Sequence, residues 1–368
     1  MILLSTLIEK FRQPFLDQYQ HQVLPGQIRA LNAMERCRTA QSAYMKADCS
    51  ECDKTIFVPH SCGHRNCPHC QAYESQKWIE LQTGKLVPGE YFMLTFTLPA
   101  QLRALTFAHQ RIIYDLMMKV SWDTVNTFSQ HDKKLQGTPG AVAVLHTHTR
   151  RLDYHPHVHL VMPAGAIDKK HRLWRVKRGN GKSQYLFNHK ALAKVFRNKL
   201  LEAIQKAGLD VPNTVPRAWV ADCKHVGSGR KALVYLGRYL YRGVIQEKDI
   251  LACENGQVTF RYRNAKTKTL EQRTVSGVEF LRMLLTHILP KGLRRARNFG
   301  FLHPNSKQLI QLLQLLHKLI PQEPLPVAKR PALPCPCCGS PMVIVRTRIM
   351  TSRSSSPLRG IITGVTAM

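Results

Sequence analysis

The sequence predicts an α+β protein: an antiparallel sheet with covering helices, preceded by a small metal-binding module. Three observations predict it. Strand-like alternation recurs in EYFMLTFTLP (Glu90 to Pro99), GAVAVLHTHT and HPHVHLVMP, the last two joined by RRLDY as a turn. Helix-period segments fall between hairpins, not in the regular strand–helix order that builds a doubly wound sheet. Residues 49 to 70, CSECDKTIFVPHSCGHRNCPHC, concentrate cysteine and histidine at metal-ligand spacing.

The elements follow in order. An amphipathic helical stretch opens the chain, and Tyr73 to Leu86 leaves the cysteine-rich segment as a helix. A long helix is expected from Leu102 to Val125, after the strand that stops at Pro99. NHKALAKVFRNKLLEAIQKAG is a helix ended by Gly208. RAWVADCK reads as a strand, KALVYLGRYLYR as a helix, QVTFRYRN as a strand and EFLRMLLTHIL as a helix. Beyond Pro304 come the helix QLIQLLQLLHKLI, a proline-rich linker, CPCCG and a polar tail read as disordered. The expected boundaries are a helix and zinc module over 1–85, a catalytic domain over 86–303 and a C-terminal segment over 304–368.

The 368 residues carry 54 Lys and Arg against 23 Asp and Glu, a formal charge of +31. Such charge opposes compaction unless a polyanion compensates it, which makes nucleic acid the leading partner class. The hydrophobic fraction of 44% is enough for a packed core and argues against global disorder. No run of 18 apolar residues occurs, so no membrane partner is expected. The opening MILLSTLIEKFRQPFLDQYQ has acidic residues and no cleavage pattern, so a secretory leader is not expected. Clustering of the cysteines in CxxC pairs favours metal binding in a reducing cytoplasm over disulfides.

Cys49 and Cys52 form one CxxC and Cys67 and Cys70 another, so these four thiolates are expected to close one tetrahedral structural Zn2+ site. Cys37, His60, Cys62 and His64 are left without assignment, as is the lone CxxC of Cys335 and Cys338, a half-site needing ligands from elsewhere. On the strand YHPHVHLVM, His155, His157 and His159 share one face, with Val158 and Leu160 on the other. Imidazoles two residues apart on a rigid strand can hold one divalent ion. The upstream LHTHTRR, as the paired strand, brings His146 or His148 alongside; His146 is the expected third ligand, Asp153 the alternative.

In KALVYLGRYLYR, Tyr235 and Tyr239 lie one helical turn apart on one face, with Lys231, Arg238 and Arg242 at i±3 or i±4 on that side and Tyr241 facing away. Cations favour phenolate and hold phosphate. A metal, two phenols and arginines together suit a phenolate attack on a phosphodiester, giving a covalent protein–DNA bond and a free 3′-hydroxyl.

SCGHRNCPHCQ, FMLTFTLPAQLR, LHTHTRRLDYHPHVHLVMPAG, WVADCK, YLGRYLYRGVI, VTFRYRNAKTKT and EFLRMLLTHILPKGLRRARNFGFL together make the chain resemble the rolling-circle insertion-sequence transposases with a two-tyrosine HUH nuclease and an N-terminal zinc-binding domain. The resemblance spans roughly residues 20 to 303. It implies that His157 and His159 bind a catalytic Mg2+ or Mn2+, that Tyr235 and Tyr239 are nucleophiles, and that Cys49, Cys52, Cys67 and Cys70 hold zinc. It implies cleavage of single-stranded DNA at element ends and target through a 5′-phosphotyrosine. The alternatives are a plasmid or phage replication initiator with the same core, and a non-catalytic zinc-dependent DNA-binding regulator.

Other stretches bear on DNA. GNGKS (Gly179 to Ser183) fails the phosphate-loop pattern because Val176 stands where glycine is needed; with RLWRVKR before it, a basic backbone-binding loop is expected. KGLRRARNFGF (Lys291 to Phe301) mixes cations and aromatics as a single-strand surface does. No helicase motif occurs, so a host helicase is the expected partner for unwinding. With so high a charge, affinity for single-stranded DNA is expected to fall steeply with salt, by on the order of a hundredfold between about 50 and about 200 mM if some six phosphates are neutralised. A flat dependence in a binding titration would assign the charge to another purpose.

Overall fold

A computed structural model describes residues 2–68, 70–171, 173–177, 185–241, 245–264, 267–317 and 332–350. Two helices, α1 (Leu4–Tyr19) and α2 (Pro25–Glu35), precede the hairpin β1 (Tyr44–Asp48) and β2 (Thr55–Pro59). Then come α3 (Ala72–Thr83), β3 (Tyr91–Thr97), α4 (Arg103–Ala108), α5 (Gln110–His131), β4 (Thr138–His148) and β5 (Tyr154–Pro163). The middle of the chain supplies β6 (Gly165–Asp168), β7 (Leu173–Val176), α6 (His189–Lys206), β8 (Ala221–His225) and α7 (Arg230–Tyr241). Next follow β9 (Ile250–Glu254), β10 (Gln257–Arg263), β11 (Leu270–Ser276), α8 (Gly277–Thr286) and β12 (Ala296–Gly300). The last are α9 (Lys307–Leu316), β13 (Leu333–Pro334) and β14 (Pro341–Ile349).

The central sheet has seven strands in the order β7-β6-β4-β5-β3-β8, with β12 also on β4, and its paired strands run antiparallel. Period-two alternation gives it two different faces. Leu94, Phe96, Ala143, Leu145, Val158 and Leu160 pack under α5 and α6 in the largest core. Val142, Val144 and Val161 face the other way, into a core with Leu233, Leu236 and Leu240 of α7. The α+β antiparallel architecture is therefore as expected. The long helix differs: it breaks at His109, whose backbone leaves helical geometry (φ −120°, ψ 43°), and runs on to His131. Asn188 caps α6 by accepting from the Ala191 amide, and Gly208, with φ of +74°, follows its end.

A second core joins elements distant in sequence. Leu7, Ile8, Phe11 and Phe15 of α1 and Leu31 and Met34 of α2 pack on Phe280, Leu281 and Leu284 of α8 and on Val258 and Phe260 of the β9–β10–β11 sheet. Cys37 and Cys67 belong to the same core, so the N-terminal module is anchored on residues more than two hundred positions away in the chain. The GNGKS loop, Arg242, the proline-rich linker and the polar tail lie outside the described residues. Among the described residues, no helix is long and apolar enough to cross a membrane.

α7 is backed by α3, the helix leaving the N-terminal module. Ser75 Oγ donates to the Gly237 carbonyl at 3.1 Å. A Cβ at Gly237 would come within 2.4 Å of Ile79 Cγ1 and 2.9 Å of Trp78 Cε3. Glycine inside a helix costs about 0.5–1 kcal/mol relative to alanine, and here it lets the two helices meet. Gly237→Val should lower stability by about 1–3 kcal/mol through overpacking, read by denaturant unfolding. Unchanged stability would mean that α3 and α7 do not pack this closely.

Candidate metal centre and tyrosine site

The register of three strands assembles the site. His157 of β5 lies opposite His146 of β4 and Thr97 of β3, and His159 lies opposite Val144 and Thr95. The ring centroids are 5.1 Å apart for His146 and His157, 4.5 Å for His146 and His159, and 4.8 Å for His157 and His159. One ring nitrogen of each lies within 4.8 Å of the other two.

Hydrogen bonds decide which nitrogens are free. His157 Nδ1 is 2.7 Å from the His155 carbonyl oxygen, which only accepts, so Nδ1 carries the proton and Nε2 the lone pair. His159 Nδ1 is 2.8 Å from Thr95 Oγ1, a hydroxyl that can donate or accept, so that nitrogen is engaged and Nε2 is left free. His146 Nε2 is buried without a hydrogen-bond partner. Burial, the largest influence on each ring, holds His157 at about 4 and His159 at about 3, and pushes His146 well below the ordinary imidazole range. The three rings are therefore neutral near pH 7. Three neutral imidazoles, one with an orphaned buried nitrogen, fit a divalent cation.

The neighbouring candidates are engaged elsewhere. Arg103 Nη2 lies 2.8 Å from His155 Nδ1. His148 uses both nitrogens, at 3.0 Å from Thr147 Oγ1 and 3.0 Å from Thr286 Oγ1. Asp153 accepts from Arg273 at 2.8 Å. Of the two third ligands considered from sequence, the geometry favours His146.

α7 lies over this histidine face. The Tyr239 ring stacks on His146, with centroids 3.4 Å apart and planes 16° from parallel. Its hydroxyl accepts from the Thr147 amide at 3.1 Å. The Tyr235 ring lies 5.9 Å from His146 and 6.2 Å from His159. It is 39% exposed and borders a cleft of about 630 Å³ lined also by Met93, residues 225–228 and Lys231. Tyr241 sits on the far side, with Arg65 and Glu74 as charged neighbours.

The cations around the phenols differ from expectation. Burial raises the Tyr235 phenol, and the cation opposing that shift is Arg150, in the β4–β5 turn, not Arg238. Arg238 is exposed on the last turn of α7, and Arg242 lies outside the described residues. Sequence reasoning missed Arg150 and Arg295. The Arg295 guanidinium is only 7% exposed, lies 5.1 Å over the Tyr239 ring and donates to His287 Nε2 at 2.7 Å, while its Nε has no partner. The segment read as a single-strand surface is instead built into the fold. Its residues 296–300 form β12, Phe301 is buried, and Phe299 stacks on Trp122 at 5.2 Å. Its aromatic faces are thus already covered.

The single four-cysteine site expected from the two CxxC pairs is corrected. Cys67 and Cys70 gather with Cys37 and Cys62, while Cys49 and Cys52 gather with Cys335 and Cys338. In the first set the Sγ separations are 3.4 Å for Cys37–Cys70, 3.6 Å for Cys62–Cys70 and 3.6 Å for Cys67–Cys37. A tetrahedral zinc with bonds of about 2.3 Å sets its sulfurs about 3.8 Å apart, so the set fits a structural zinc. The physical reason for the exchange is strand geometry: β1 and β2 separate the two CxxC knuckles, carrying Cys49 and Cys52 to one end of the hairpin. His60 and His64 join neither set among the described residues.

Thr95 orients one histidine of the triad through a bond that any metal ligand needs on its second nitrogen. Thr95→Val keeps the shape and removes the hydroxyl. Mn2+ affinity, followed by calorimetry, should fall about 10- to 100-fold. Unaltered affinity would show that His159 needs no such support.

The sequence matches two families described as "Transposase zinc-binding domain", over residues 7–98, and "Putative transposase", over residues 140–309. It is 30% identical over 321 residues to "Putative transposase y4qJ" of Sinorhizobium fredii (strain NBRC 101917 / NGR234), covering 80% of each chain. It is 28% identical over 298 residues to "Transposase for insertion sequence element IS801" of Pseudomonas savastanoi pv. phaseolicola, covering 75% of this chain and 70% of that one. Among solved structures, it is similar to a conjugative relaxase, TrwC, in complex with mutant OriT DNA, at 12% identity and a TM-score of 0.26, over 61% of this chain and 72% of that one. With a zinc-binding region and a transposase region matched in order, and with a relative sharing 30% identity over four-fifths of both chains, the chain belongs to the IS91 family of rolling-circle insertion-sequence transposases.

Proposed function

We propose that this transposase nicks and rejoins single-stranded DNA at element ends and target by metal-assisted tyrosine transesterification through a 5′-phosphotyrosine. One observation carries the reading: three neutral imidazoles with converging nitrogens lie directly under two phenols one turn apart on α7. The formal charge of +31 supports a polyanionic partner. His146, His157 and His159 would hold Mg2+ or Mn2+, which when bound polarises a phosphoryl oxygen and stabilises charge developing on it.

The chain's own residues supply the rest. Tyr235, half out in solvent beside the cleft and Lys231, is placed to meet an incoming strand first. Its oxygen bonds to phosphorus, the P–O3′ bond breaks, and the proton lost by the phenol balances the one gained by the 3′-oxygen. Each phosphodiester is thus exchanged for another, so no nucleotide hydrolysis is required. Tyr239, held by the Thr147 amide, serves the second exchange, and the freed 3′-hydroxyl reverses the linkage on the other tyrosine. The charge of buried Arg295, whose Nε has no partner among the described residues, is compensated when a phosphate enters, a role that exposed Arg238 shares and that the sequence also assigns to Arg242. Unwinding falls to a host helicase, and the clustered thiols suit a reducing cytoplasm.

The test is incubation with single-stranded DNA and Mn2+, scoring covalent adduct. Tyr235→Phe and Tyr239→Phe should each block complete strand transfer, with at least one retaining single cleavage. The double variant should form no adduct, and Tyr241→Phe should match wild type. His157→Ala should cut cleavage by at least on the order of a hundredfold, with DNA affinity little changed because binding rests on Lys and Arg. An adduct formed by the double Phe variant would place the nucleophile elsewhere.

A further inference from the structure

We infer that Cys49, Cys52, Cys335 and Cys338 form a second tetrathiolate zinc site, one that fastens the segment 332–350 to the N-terminal module. The site is independent of the nuclease reading. Its C-terminal half lies beyond both matched family regions, which end at residues 98 and 309.

Geometry makes the first argument. Cys49 Sγ lies 3.5 Å from Cys338 Sγ, and Cys52 Sγ lies 3.6 Å from Cys335 Sγ. The four ligand atoms all lie within 4.8 Å of one another. These spacings are far too long for disulfides, at about 2.05 Å, and close to the ~3.8 Å edge of a zinc tetrathiolate.

Both halves are folded as metal knuckles. At one, the Cys49 amide donates to the Lys54 carbonyl at 2.9 Å. At the other, the Cys335 amide donates to the Ser340 carbonyl at 2.8 Å, and the Gly339 amide to the Cys335 carbonyl at 2.9 Å. The Cys337 amide points at Cys335 Sγ from 3.4 Å, the kind of donor that steadies a thiolate. Gly339 takes a φ of +75°, which glycine adopts without strain.

The sheet brings the knuckles together. β14 pairs antiparallel with β1, Asp48 opposite Val343 and Tyr44 opposite Ile349, giving a four-stranded sheet in the order β13-β14-β1-β2. That sheet has almost no apolar core of its own. Its buried cluster is Ala47, Cys49, Cys335 and Met342, whereas Val343 and Val345 are exposed. A sheet this small needs a metal to stay folded. Among the described residues, the thiols are the only part of it that such a metal fits.

The holoprotein gives the test. Titration of full-length protein with an organomercurial, with a chromogenic chelator reporting zinc, should release two zinc ions per chain, one from each cysteine set. Cys335→Ser/Cys338→Ser should release one, and Cys62→Ser/Cys70→Ser should likewise release one. The histidine triad holds no sulfur and does not answer to the mercurial, so the nuclease reading stands or falls separately. One zinc from wild type, or two still released from Cys335→Ser/Cys338→Ser, would overturn the site. If the serine variants fail to fold, the wild-type stoichiometry alone decides.

Discussion

Everything at the candidate centre depends on the register between β4 and β5. His146 faces His157 only because Leu145 faces Val158 and Ala143 faces Leu160 on the other side of the same two strands. A slip of one residue in β5 would send His157 and His159 into the core under α5 and α6 and Val158 and Leu160 toward α7. Burying each Val or Leu contributes about 1.5–3 kcal/mol, so the hydrophobic face specifies the register and the polar face inherits it. The convergence of the three imidazoles is thus a by-product of packing.

The same logic extends to the tyrosines. α7 is held from the sheet side by Leu233, Leu236 and Leu240 and from behind by α3, through the close approach at Gly237. α3 begins two residues after Cys70, a member of the first cysteine set. Cys37 and Cys67 of that set are packed in the core shared by α1, α2 and α8. A mechanical path therefore runs from the thiol cluster through α3 to the helix carrying both phenols. The zinc-binding region is part of what positions the tyrosines.

Local patterns were legible in the sequence and long-range partnerships were not. The alternation of HPHVHLVMP placed His157 and His159 on one face, and helical spacing placed Tyr235 and Tyr239 on another, because both periodicities are local properties of the backbone. The cysteines show the limit. Spacing joined Cys49–Cys52 to Cys67–Cys70 as one site, but the partner of the first pair lies at Cys335 and Cys338, brought back by β14. Nothing in a short window reports a strand pairing of that separation. Arg295 was invisible for a related reason: only the pairing of β12 with β4 buries it, while Arg297 nearby reaches Asp115 at the surface. β7 and β12 were read as basic surface because their cations masked short strands.

Electrostatics close the account. Among the described residues the centre contains neutral imidazoles, two phenols and the buried Arg295, with no carboxylate in the histidine cluster. Such a site lacks negative charge, which on the proposed reading a phosphodiester would supply. The most direct measurement is mass-spectrometric mapping of the peptide that carries the nucleotide after wild-type protein has reacted with a single-stranded oligonucleotide and Mn2+. The account predicts a 5′-phosphate linked to Tyr235 or Tyr239. A nucleotide linked to any other residue, or cleavage with no linked peptide, would contradict it.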